Sequence, residues 1–197
     1  MTARLNLSVA LHRILADIQR RVPEFSHLQN ERILFTAGQA RRKSRATTRP
    51  FSFPETRTRR SETGHLYKPI ITYRKKRIRY EITLRPLFFL RSTPQQRLQT
   101  IFHELYHFSQ EFDGTLAQNR RHDVLPQRQF DKELRPILRR YQKEMPQWIM
   151  QVLGYVGEIE MLQWLERPPN RYRPSRGMRR HYQERDLFLG PIMMRTK

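Results

Sequence analysis

Residues 103–107 read His-Glu-Leu-Tyr-His, and no other stretch limits the local fold and chemistry of the chain as tightly. Histidines four apart on a helix project from the same face, one turn from each other. On a helix both imidazoles can then reach one metal ion, and the intervening glutamate stands where it can take a proton from a metal-bound water. The spacing therefore predicts a zinc-hydrolase site on a helix, with His103 and His107 as ligands and Glu104 as general base.

The flanking residues fit that helix. Ser92 or Thr93 can cap it and Pro94 suits its first turn. Leu98, Ile101, Leu105, Phe108 and Phe112 repeat at helical spacing as the buried stripe, and Asp113-Gly114 provides a stop. Upstream, Leu7, Leu11, Ile14, Leu15 and Ile18 predict an amphipathic helix closed by Pro23. Ile33 to Thr36, Ile70 to Tyr73 and Ile78 to Leu84 read as strands. In the last, Ile78, Tyr80, Ile82 and Leu84 alternate with Arg79, Glu81, Thr83 and Arg85, predicting one buried and one wet face. Arg74 to Arg77 would be the exposed turn before it. Downstream, residues 128–144 predict a helix bent or interrupted at Pro136, and 157–165 a strand or a helix.

A catalytic zinc takes three protein ligands and leaves a position for water. The third must come from downstream. His122 is the first candidate, since 114–126 reads as a loop able to fold back. Asp113 and Glu111 are the alternatives, the latter one turn after His107. Zinc-bound imidazoles donate their second N–H to a carboxylate or carbonyl, for which Asp113, Asp123 and Asp131 are available. Tyr106, Tyr141 and Tyr155 are candidates for stabilising an oxyanion.

Cysteine is absent, which excludes disulfides and thiolate metal sites. No apolar run approaches the roughly 18 residues of a membrane span, so a cytoplasmic protein is expected. Lys and Arg number 39 against 18 acids, a net charge of +21, which implies a polyanionic partner or neighbourhood, DNA or RNA above all. Between 39 and 85 the local charge is +12. The candidate phosphate contacts are Arg41, Arg42, Lys43 and Arg45, and Arg74, Lys75, Lys76 and Arg77. Tyr73, Tyr80 and Phe51 lie among them as aromatic rings able to stack on bases.

Phe102-His103-Glu104-Leu105-Tyr106-His107-Phe108, followed by Asp113-Gly114, His122 and Phe130-Asp131, resembles a family of phage and bacterial metallopeptidases, similar in outline to the SprT-like zinc proteases. The order helix, three strands, motif helix resembles the minimal zincin fold. That resemblance implies an α+β domain, with a small, mainly antiparallel sheet packed on the motif helix and with an N-terminal and following helices. It also implies His122 as the third ligand. The expected organisation is a domain over 1–166, containing a basic extended segment at 39–68, and a basic tail over 167–197. The expected activity is zinc-dependent hydrolysis of a protein or peptide, with a substrate held on nucleic acid suggested by analogy with SprT-like enzymes. The alternative expectation is a basic nucleic-acid-binding protein whose metal site is not catalytic.

Overall fold

A computed structural model of the chain describes residues 4–38, 44–54, 60–61, 64–120, 127–161, 167–186 and 192–195. A short strand, β1 (Arg4–Asn6), leads into α1 (Leu7–Arg21). Asn6 caps that helix, its Oδ1 accepting the Val9 N–H at 3.0 Å. The predicted stripe is its buried face, Leu11, Ile14 and Ile18 being fully enclosed. Asp17 lies on the same face, and its carboxylate takes the Tyr141 hydroxyl at 2.8 Å.

The central sheet joins β2 (Ile33–Ala37), β8 (Tyr80–Leu84) and β3 (Ala46–Pro50), with β8 in the middle. β2 runs parallel to β8 and β3 antiparallel, in register Ile33↔Tyr80 and Ala46↔Leu84. The sheet is therefore mixed. β3 lies inside the segment expected to be only extended and basic; the β-branched pair Thr47-Thr48 suits the pleated backbone. Residues 39–43, 55–59 and 62–63 of that segment lie outside the described residues.

Both faces of β8 are buried, contrary to the alternation. Tyr80, Ile82 and Leu84 join the main core. On the other face Glu81 is wholly enclosed and accepts the Thr36 hydroxyl at 2.7 Å and an Arg49 N–H at 3.3 Å. Arg49 in turn donates to the carbonyls of Pro168 and Pro169 at 2.8 and 2.6 Å. Charged residues read as wet are thus buried because they satisfy one another and because residues 168–169 cover them.

The remaining strands form smaller units. β6 (Ile70–Tyr73) pairs with β7 (Lys76–Arg77) around a two-residue turn, Arg74-Lys75, both at positive φ, the pattern of a type I′ hairpin. β10 (His181–Tyr182) adds to β6 in parallel. β4 (Arg60–Ser61) and β5 (Gly64–His65) form a two-stranded ribbon. β11 (Ile192–Arg195) lies between β1 and β9 (Glu158–Met161), antiparallel to both. The region expected as a basic tail thus supplies β10 and β11, with Ile192 and Met194 in the core. Leu187-Phe188-Leu189, expected to order part of that tail, lies outside the described residues.

Among the described residues five α-helices complete the α+β fold: α1, α2 (Pro86–Leu90), α3 (Pro94–Tyr106), α4 (Gln127–Glu144) and α5 (Gln147–Gly154). α4 runs unbroken through Pro136. Pro136 and Lys132, whose carbonyl loses its helical partner, are both exposed, while Phe130, Leu134, Ile137 and Tyr141 are buried along the opposite side. Among the described residues no helix is long and apolar enough to cross a membrane.

Candidate active site

Helix α3 starts at Thr93, which forms a reciprocal cap. Its hydroxyl accepts the Gln96 N–H at 3.2 Å and its own N–H reaches Gln96 Oε1 at 3.0 Å. Leu98, Ile101, Phe102 and Leu105 bury the helix in the core. α3 ends at Tyr106, about two turns before the expected stop, with His107 as its C-cap. Phe108 is the reason: it leaves the helix to lie flat on Tyr80, ring centroids 3.8 Å apart and planes within 10°. The chain then turns tightly. Phe112 adopts a φ of 49° and Gly114 one of 91°. A Cβ on Gly114 would meet Ser52 Cβ at 3.2 Å and the Arg79 carbonyl at 3.3 Å, so only glycine fits both the dihedral and the space.

That early exit determines the environment of the motif. The loop returns to the helix end: Ala117 N–H donates to the His107 carbonyl at 2.9 Å, and the Arg120 carbonyl lies 2.9 Å from His107 Nδ1. A carbonyl only accepts, so Nδ1 carries the hydrogen and Nε2 of the neutral ring presents a lone pair. Arg120 also lays its guanidinium over the Tyr106 ring at 4.0 Å, which pins the loop. The backbone carbonyl that fixes the His107 tautomer was not legible in the sequence, where carboxylates were the candidates.

The two imidazoles converge. His103 Nε2 and His107 Nε2 stand 3.2 Å apart with their rings at 84°. Two nitrogens bound tetrahedrally at zinc distances would be about 3.3 Å apart, so the pair fits two ligands of one ion. Phe130, from α4, packs against both rings, at 4.5 Å from His103 and 4.9 Å from His107. Among the described residues no group of three His, Cys, Asp or Glu is placed to hold a metal. His122, the expected third ligand, lies outside those residues, as does Asp123.

The alternatives for that place have other work or the wrong location. Asp113 Oδ1 accepts from Ser109 Oγ at 2.6 Å and from the Thr115 N–H and hydroxyl, both at 2.8 Å. It is the organiser of the turn. Burial raises its pKa, but those hydrogen bonds outweigh burial and hold the carboxyl below the usual range. Glu111 is exposed and follows the end of α3, so helical spacing no longer places it beside His107. Of the tyrosines, Tyr141 gives its hydroxyl to Asp17 and Tyr106 gives its own to Glu133 at 3.0 Å. Tyr155 is half-buried after α5.

Glu104 is 5 % exposed. Its Oε2 accepts the Thr48 hydroxyl at 2.7 Å, and the same hydroxyl lies 3.2 Å from the Glu104 carbonyl oxygen. Burial pushes the carboxyl up to about 7; the Thr48 hydroxyl and backbone and the charge of Arg85 pull the other way. A carboxylate poised near neutrality suits proton transfer in either direction. Sequence reasoning missed Thr48, which comes from the edge strand β3 of the central sheet.

The expected phosphate contacts divide. Arg74 to Arg77 are exposed on the β6–β7 hairpin and Arg45 is exposed near Ser92, its Nε donating there at 3.0 Å; Arg41, Arg42 and Lys43 lie outside the described residues. Tyr80 and Phe51 are 0 % and 2 % exposed, so neither ring can stack on a base.

A family model described as "Putative phage metallopeptidase" matches residues 4–154, and the chain belongs to that family. No curated protein and no solved structure gives a significant match. Family membership suggests a peptidase that works with a metal ion.

Proposed function

We propose that this member of the metallopeptidase family is a zinc-dependent peptidase of the His-Glu-x-x-His type on a minimal zincin-like fold. The observation that carries the reading is the pair of Nε2 atoms 3.2 Å apart on one helix face, with Glu104 between them in sequence. His103 and His107 would hold the ion. His122, two residues after the Arg120 whose carbonyl is returned to His107, is the proposed third ligand. The bound ion would supply Lewis acidity, lowering the pKa of a water and polarising the scissile carbonyl.

The other steps fall to the chain's own side chains. Glu104 accepts the proton of the attacking water and delivers it to the departing amine. Thr48 holds that carboxylate in one orientation, so the base is positioned before substrate arrives. Phe130 walls the two imidazoles on one side and keeps water from that face. The peptide lies along β3, the sheet's edge strand and the source of Thr48. Its net charge of +21 and the exposed hairpin Arg74 to Arg77 support nucleic acid as the neighbourhood of the substrate rather than the species cleaved.

The test is Glu104→Gln, which removes the base but neither imidazole. The variant retains the wild-type metal content and loses cleavage of an unfolded protein such as casein. Unchanged cleavage would contradict the assignment of Glu104.

A further inference from the structure

On the face of the central sheet that carries Glu81, opposite the face packed against α3, the fold forms a half-open cleft of about 660 Å³, within the usual range of ligand-binding pockets. Thr48, which holds Glu104, is part of its wall. The same wall carries Arg49, Lys68, Arg85, Arg167 and Arg171. No carboxylate lines it among the described residues. Glu81 lies beneath, already bonded to Arg49, Thr36 and Thr83.

Among the described residues these cations do not all find acceptors. Arg49 is 8 % exposed, and its Nε–H has no acceptor. The Lys68 ammonium rests over the Phe53 ring at 4.9 Å, a contact that offers no hydrogen-bond acceptor. Burial, then the charges of Arg49 and Arg171, lowers its pKa to about 8. Glu81 answers only Arg49, and cations crowded into a half-enclosed space with no other carboxylate among the described residues are stabilised by an anion that enters it. Arg85 joins this field to the active site, because its charge acts on Glu104.

We propose that the cleft is a substrate subsite that selects polypeptide segments bearing carboxylate side chains. The inference rests on the peptidase reading above. A peptide laid along the edge strand β3 turns alternate side chains to opposite faces of the sheet, so a segment with one residue toward Glu104 sets its neighbour over the cleft. A nucleic-acid duplex is too large for the cleft, whereas a glutamate or aspartate side chain can reach Lys68. Arg167 and Arg171, both exposed, sit at the rim and draw acidic segments in.

The test uses the full chain carrying Glu104→Gln, with binding read by fluorescence anisotropy at physiological salt. The probes are a labelled ten-residue peptide of alternating Glu and Ala and its Gln-for-Glu twin. The Glu peptide should bind at least about tenfold more tightly. Adding Lys68→Gln and Arg171→Gln should weaken it at least about fivefold. Adding Lys75→Gln and Lys76→Gln removes the same charge from the distant hairpin and should change affinity by less than about twofold. Equal binding of the two peptides, or equal losses from the two pairs of substitutions, would overturn the proposal. So would a ten-nucleotide oligothymidylate that binds more tightly than the Glu peptide and is released by the Lys68 and Arg171 substitutions, which would make the cleft a nucleic-acid site. Cleavage of casein by the wild type without any acidic preference sinks the subsite alone. Acidic preference without any cleavage sinks the peptidase reading and leaves an acidic-peptide site.

Discussion

Arg97 is 3 % exposed, and no carboxylate among the described residues pairs with it. Its guanidinium donates to four carbonyls: Phe88 at 2.9 Å, Phe89 at 2.6 Å, Leu153 at 2.8 Å and Tyr155 at 2.7 Å. Phe88 and Phe89 lie in the last turn of α2, Leu153 in that of α5, and Tyr155 is the α5 C-cap. Carbonyls at helix C-termini lack helical partners and carry partial negative charge. Arg97 therefore closes two helix ends at once and ties both to α3, less than two turns before His103. Arg97→Met keeps much of the volume and removes every donor. Four buried acceptors left unsatisfied at about 1–3 kcal/mol each would cost about 4–12 kcal/mol. The variant no longer has to desolvate a guanidinium, which offsets several kcal/mol of that. The expected net loss is about 3–5 kcal/mol, or a fall in Tm of about 10 °C or more for a chain of this size. Arg97→Lys, with three donors for four carbonyls, should fall between. Urea unfolding followed by circular dichroism reads the change. A shift of the Arg97→Met midpoint worth less than about 1 kcal/mol, at unchanged slope, would refute the idea that this cation holds the helix ends.

Other substitutions probe neighbouring parts of the account. Thr48→Val keeps the shape and removes the hydroxyl on Glu104; a hydrogen bond to a charged group is worth about 1.5–3 kcal/mol, so casein cleavage should drop at least about tenfold and recover in Thr48→Ser, with folding intact in both. Asp17→Asn tests the link between α1 and α4. Burial raises the Asp17 carboxyl, but hydrogen bonds from Arg21, Tyr141 and Arg20 outweigh it and hold the group below its ordinary value. A depressed folded pKa contributes stability above the unfolded value of about 3.9, lost as pH falls through the folded one. The variant should therefore lose about 1–3 kcal/mol at pH 7, and the deficit should shrink at pH 3. An equal deficit at both, by urea unfolding, would show that the charge is not the cause.

Much of the site was legible because local spacing encodes it. The motif, its cap at Thr93 and the stripe from Leu98 to Leu105 specify a helix that presents His103 and His107 together, whatever surrounds it. The family resemblance read from the same residues agrees with the match over 4–154. What escaped depends on contacts between residues distant in sequence. Phe108 continues the helical stripe perfectly well; only Tyr80, 28 positions earlier, draws it out of α3. Glu81 alternates as a wet-face residue would, yet it is buried against Arg49, which Pro168 and Pro169 cover from beyond position 166. Thr48 carries no local sign of its partnership with Glu104, 56 residues away. For β10 and β11 the basic, proline-rich composition hid short strands, because pairing with β6, β1 and β9 supplies the hydrogen bonds that no local pattern advertises.

The central claim is that the chain holds one metal ion through its paired histidines. Elemental analysis of protein purified without chelator, wild type beside His103→Ala and His122→Ala, tests it most directly. About one zinc per chain, lost in both variants, is the predicted result. A wild type that carries no metal, and takes up none when zinc is supplied, would contradict it.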